Sequence, residues 1–117
     1  MPKQSILISA LLLGACDGTS LSGKCGHDIR SAVTSPDGAF SAAIDIVDCG
    51  ATTDYATWIL VDEAGNELGP DDRFAVFEGQ SGSIEWTSSR ALTVYGGEFV
   101  SLDESHPQSD VLSVGSE

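Results

Sequence analysis

Between residues 39 and 47 the side chains alternate, with Phe40, Ala42, Ile44 and Ile46 on one face and Ser41, Ala43 and Asp45 on the other. A period of two makes this a half-buried strand. Short runs of similar character recur at 29–34, 55–61, 73–77, 83–86, 91–95, 98–102 and 111–114. The run 55–61 is apolar on both faces, as in a strand central to its sheet. Turn chemistry separates the runs. In Ser35-Pro36-Asp37-Gly38, proline presets φ at the first central position and Gly38 tolerates a left-handed backbone. Glu63-Ala64-Gly65-Asn66 and residues 79–82 are further turns, and Thr87-Ser88-Ser89-Arg90 closes a hairpin between 83–86 and 91–95. Residues 48–54, the acidic stretch 67–72 and the surroundings of His106-Pro107 read as loops, and the pattern leaves room for a helix within 100–110. No other segment beyond residue 16 sustains a helical period with caps. The pattern predicts an all-β fold, a small antiparallel sheet folded as a sandwich or partly open barrel.

Residues 6–13 break the pattern with an unbroken apolar run, preceded by Lys3 and followed by the small residues Gly14 and Ala15. It falls well short of the roughly 20 residues that span a bilayer. Charge, apolar stretch and small residues together predict an N-terminal signal peptide helix over 1–15. The run Leu13-Gly14-Ala15-Cys16 resembles the lipobox of bacterial lipoproteins. That resemblance implies cleavage before Cys16, acylation of Cys16 by two or three chains, and a position on the membrane facing the periplasm. Asp17 resembles the inner-membrane retention signal of enteric bacteria, a rule that varies between bacteria, so inner and outer membrane both stay open. The competing reading is an ordinary secretory signal with a chance cysteine. Residues 16–24, small and polar, read as a lipidated tether, and 25–117 as a single β domain.

Charge and cysteine count narrow the picture. All 18 acidic residues follow Cys16, and loss of Lys3 with the signal leaves four basic ones, a net charge of −14 on 102 residues. Such a surface offers nothing to neutralise phosphates, which argues against nucleic acid. It suits solubility, or steering toward a basic protein partner in the envelope or toward divalent cations. Three cysteines are odd for a secreted chain. With Cys16 acylated, Cys25 and Cys49 remain, and an oxidising envelope would pair them. Two free thiols or a metal site are the alternatives. A site of Cys25, His27 and Cys49 has only three ligands and lacks the paired Cys-x-x-Cys spacing of zinc centres, so no metal is expected.

Three stretches, Cys25-Gly26-His27-Asp28-Ile29, Ser35-Pro36-Asp37-Gly38 and Asp48-Cys49-Gly50-Ala51-Thr52-Thr53, together with Trp86 before a late hairpin, resemble an uncharacterised family of small bacterial proteins, often lipoproteins. The likeness covers roughly residues 25–95. It supports the fold and the Cys25–Cys49 pair, and implies no catalytic chemistry. In the Asp48–Thr53 loop, Gly50 beside Cys49 suits a positive φ, and Thr52 and Thr53 can bond nearby backbone. That makes the loop a pinned strand exit. The functional reading makes Asp48, Thr52, Thr53 and Asp54 the candidate ligand-binding residues.

The chain lacks the usual catalytic signatures. Gly79-Gln80-Ser81-Gly82-Ser83 misses the nucleophile elbow because its last glycine is displaced. His27 and Asp28, adjacent on a strand, point to opposite faces and form no dyad. His106 in its polar loop reads as solvated. Asp71 and Asp72 read as a solvated acidic loop rather than a weak calcium site, and Trp58 and Trp86 as core or hairpin anchors. No cofactor and no enzymatic activity are expected. The predicted role is a membrane-anchored, non-catalytic structural or interaction module. The alternatives are an inhibitor of a basic cell-wall hydrolase such as a lysozyme, and a small-ligand or metal-binding protein.

Overall fold

A computed structural model describes residues 25–50 and 54–117. Within them the fold is all-β. Nine strands run in order: β1 (Gly26–Ile29), β2 (Val33–Thr34), β3 (Phe40–Asp48), β4 (Ala56–Glu63), β5 (Arg73–Glu78), β6 (Ser83–Ser88), β7 (Ala91–Tyr95), β8 (Glu98–Leu102) and β9 (Ser113–Ser116). The larger sheet has the order β1-β3-β4-β5-β8, with β2 pairing farther along β3. The smaller has the order β9-β7-β6. All pairings are antiparallel except β7 with β9, which run parallel from Ala91 opposite Ser113. Among the described residues no helix is long and apolar enough to cross a membrane. The expected single run 29–34 is two short strands separated at residues 30–32, and the last strand begins two residues later than the pattern suggested.

The two sheets share one core. Alternation puts Phe40, Ala42, Ile44 and Ile46 of β3 on the same side as Ile59 and Val61 of β4 and Phe77 of β5. Leu92 and Val94 of β7, with Ile84, Trp86 and Val114, close over them from the smaller sheet. Two polar ties draw the sheets together along one edge. The Trp86 indole N–H donates to the Val33 carbonyl at 3.0 Å, and Arg90 meets the Asp37 carboxylate at 2.8 Å while lying over the Phe40 ring.

β3 departs from the half-buried strand the pattern predicts. Ser41, Ala43, Asp45 and Val47 are as buried as their apolar neighbours. On that outer side His27 lies against Asp45, and the Trp58 ring packs edge-on to His27. Arg73 stacks over Trp58 and reaches Asp103 at 3.5 Å. Ala43 borders a shallow cleft with Ile29 and Leu68, from the loop after β4. That loop ends in a 3-10 turn, Pro70–Asp72, with the Gly69 N–H bonded to the Asp72 carboxylate at 2.9 Å.

The Ser35–Gly38 turn is built as its sequence dictates. The Gly38 N–H bonds the Ser35 carbonyl, and Gly38 takes φ 78°. Asp37 Oδ1 accepts from the Ser35 hydroxyl at 2.8 Å and from the Ala39 N–H at 3.1 Å. The Ser35 hydroxyl, then the Ala39 N–H, and then Arg90 hold the Asp37 carboxyl below its usual value of 3.8. A folded-state pKa below the unfolded one stabilises the fold above the unfolded value, and that contribution fades as pH falls through the folded value. We therefore expect the Asp37 carboxyl to titrate below 3.8 by NMR, and the Ser35–Gly38 turn amides to lose protection only below that pH. An Asp37 midpoint at or above 3.8 would contradict this turn chemistry.

Candidate functional site

Two of the three cysteines meet at the far end of β1. Gly26 stands opposite Asp48 in the β1–β3 ladder, and on the next rung Cys25 is bonded to Cys49 with S–S 2.06 Å. Gly50 follows with φ 132°, and its N–H bonds to Asp48 Oδ1 at 3.1 Å. The strand exit is thus pinned by the bridge and by an Asx-type bond, as expected for this loop. Cys16 lies outside the described residues, as do Thr52 and Thr53.

Asp48 and Asp54 come to the same end of the larger sheet and border two adjoining clefts. Asp48 lines a cleft of about 330 Å³ with His27, Tyr55 and Gln80. Asp54 lines one of about 470 Å³ with Tyr55, Glu78, Gln80 and Glu98. Tyr55 and Gln80 border both. Both clefts are open grooves rather than enclosed cavities.

The strongest side-chain constellation beside them is one the sequence hid. Asp45 is fully buried, and its Oδ2 lies 2.7 Å from His27 Nδ1. Its Oδ1 accepts the Asp28 N–H at 3.1 Å. An ionised carboxylate only accepts, so His27 donates from Nδ1. No partner holds Nε2 among the described residues, and 27% of the side chain remains exposed on the Asp48 cleft. The acid of His27 is therefore not adjacent Asp28 but Asp45, two rungs along on the neighbouring strand and on the same face. A buried aspartate orienting an imidazole is the supporting half of hydrolytic triads and of metal–histidine pairs. Among the described residues, no hydroxyl or thiol is bonded to His27. Among the described residues, no group of three or more His, Cys, Asp or Glu is placed to hold a metal ion. What the pair does visibly is clasp β1: the ring and the Asp28 N–H grip the two oxygens of one carboxylate in β3.

The remaining candidates resolve into structural parts. Ser81, the serine of the near-elbow, is buried. Its N–H bonds to Thr57 Oγ1 at 2.8 Å and its hydroxyl donates to the Gly96 carbonyl at 2.8 Å. The Thr57 hydroxyl in turn donates to the Gly79 carbonyl at 2.7 Å, so this stretch laces β4 to the turns beside it. His106, expected in solvent, is buried instead. Its Nδ1 accepts the Gln108 N–H, which leaves the proton on Nε2 to donate to the Val61 carbonyl at 2.9 Å. The ring packs edge-on against Phe74. Just before it, the Ser105 hydroxyl and N–H, and then Arg73, hold the Asp103 carboxyl below its usual range. Comparison with protein-family models, curated proteins and solved structures gives no match to this chain.

Two stability measurements test this geometry. Cys25→Ser and Cys49→Ser should each lower unfolding free energy by on the order of 3 kcal/mol, because the bridge closes a loop in the unfolded chain. The double variant should lose no more than either single one. His27→Ala should cost about 1–3 kcal/mol by leaving a buried carboxylate oxygen without its donor. A His27→Ala urea transition superimposable on the wild type would show that the clasp contributes nothing.

Proposed function

We propose that this chain is a bacterial envelope lipoprotein: acyl chains on Cys16 hold a non-catalytic β domain at the membrane, where it serves as a structural or interaction module. The carrying observation is the cysteine balance. Cys25 and Cys49 are bonded to each other, which leaves the cysteine of the Leu13-Gly14-Ala15-Cys16 run as the one without a disulfide partner. One acyl chain gives only marginal membrane binding at about 0.8 kcal/mol per buried methylene, so two or three chains suit a lasting anchor.

A non-catalytic role is supported by how the reactive residue types are used. Ser81 and His106 spend their polar atoms on backbone, and His27 clasps an edge strand. The clefts near Asp48 and Asp54 are open, and among the described residues they gather no nucleophile bonded to a base. The anchor also limits where the module works. Eight residues lie between Cys16 and Cys25, and a fully extended chain across that interval spans at most about 30 Å. The domain would be confined to a thin layer over the bilayer, where its negative charge keeps it off anionic headgroups.

The test is intact mass of the protein extracted from membranes, with and without reduction. We expect an N-terminus at Cys16 carrying acyl mass, and a gain of about 2 Da on reduction from the one bridge. Cys16→Ser should move the protein out of the detergent phase. A mature chain without acyl mass, or a Cys16→Ser variant that still partitions with the membrane, would overturn the anchor.

A further inference from the structure

Among the described residues, strand β8 forms the outer edge of the larger sheet and is paired on one side only, with β5. An edge strand presents unpaired N–H and C=O groups on its outer side, and natural proteins usually guard such edges. Here neither Lys, Arg nor Pro stands in Glu98–Leu102, and two adjacent apolar residues, Phe99 at 50% and Val100 at 55% exposure, lie in the open. Phe99 is held by its edge-on contact with the buried Phe77. The start of the strand is fixed as well: Gly97 (φ 81°) approaches so closely that a Cβ would lie 2.7 Å from the Glu78 carbonyl. Among the described residues the edge is therefore firmly placed and open, with two exposed apolar side chains and a single bulge at Val100.

Charge at the head of β8 says what fits there. Glu98 stands directly opposite Glu78 on β5, and Asp54 lines the same cleft. Like charges on opposed cross-strand positions are unfavourable. No ion pair relieves them among the described residues, where Arg30, Arg73 and Arg90 are committed to Asp28, Asp103 and Asp37. A second copy of this chain would bring yet more carboxylates. A cationic strand would bring what is missing.

We propose that the β8 edge docks an extended, Lys- or Arg-bearing segment of a partner protein by strand addition. Main-chain bonds to Glu98–Leu102 supply affinity, apolar side chains cover Phe99 and Val100, and a cation sits between Glu78 and Glu98. The proposal deepens the interaction-module reading by naming its surface, and it stands whether or not Cys16 is acylated.

The probe is a capped hexapeptide alternating valine and lysine, added to the full-length chain in detergent micelles and followed by amide NMR. We expect shift changes centred on Glu98–Leu102 and Glu78. Glu78→Gln with Glu98→Gln should weaken binding about tenfold or more. Val100→Lys, an exposed guard against strand addition, should abolish binding while the β3 and β4 amides stay in place. The same peptide N-methylated at every backbone amide keeps its charge but lacks strand donors, and should not bind. Equal binding of that peptide, shifts scattered over the acidic surface, or no shifts at millimolar peptide would overturn strand addition. Concentration-dependent dimerisation with broadened β8 amides in the absence of peptide would make a second copy the occupant and also overturn it. Acylation of Cys16 is read separately by mass, so failure of the docking result leaves the anchor unaffected, and the reverse.

Discussion

β3 has no face to spare for water. Residues 40–47 are all buried, so the strand must be covered twice. On one side the demand is ordinary: alternating Phe40, Ala42, Ile44 and Ile46 call for an apolar lid, and the β6-β7-β9 sheet supplies it. On the other side a carboxylate lies among apolar residues. A buried charge is tolerated only when its oxygens are satisfied. Asp45 therefore dictates what lies beside it: the β1 backbone must run close enough for Asp28 to donate, and His27 must fold inward. Trp58, Arg73 and Asp103 extend that cover outward across the sheet. Much of the outer layer follows from one aspartate in a central strand.

The same economy governs the polar residues elsewhere. Thr57 and Ser81 sit where β4 meets the turns after β5 and β7, and each buried hydroxyl donates to a backbone carbonyl of those turns. His106 does this for Val61 while shielding Phe74. Buried polar side chains in this domain thus serve mainly to let irregular backbone pass close to the core. The surface that remains uncommitted lies at the opposite edge of the larger sheet from the bridge, where acidic side chains face one another and apolar ones meet water.

Features governed by neighbours in sequence could be read before the fold was known. The Ser35–Gly38 turn, the hairpin around residues 87–90 and the strand at 98–102 depend on local turn chemistry and alternation, and they stand where the pattern put them. The Cys25–Cys49 pair followed from counting and from the lipobox resemblance, and it stands just before the first rung of the β1–β3 ladder. What escaped was decided at long range. Asp45 alternates like a solvent-facing residue, and its partner lies 18 positions away. His106 sits in a polar stretch that gives no sign of folding back 45 positions to β4. Asp48 and Asp54 line adjoining clefts that share Tyr55 and Gln80, and Gln80, which arrives from a distant turn, could not be placed there from local pattern.

The position of the bridge has a mechanical meaning. Chain ahead of Cys25 connects to the domain at the outermost, four-residue edge strand. Without a crosslink, tension on that chain would open the β1–β3 ladder one rung at a time, the weakest direction in which a sheet can be loaded. The Cys25–Cys49 bond stands before the first rung, so the load bypasses β1 and enters β3 as a covalent pull. That strand is hydrogen-bonded to β4 along its whole length and packed on both faces. The disulfide thus acts as a strain relief, passing force from a short edge strand to the strand covered on both faces.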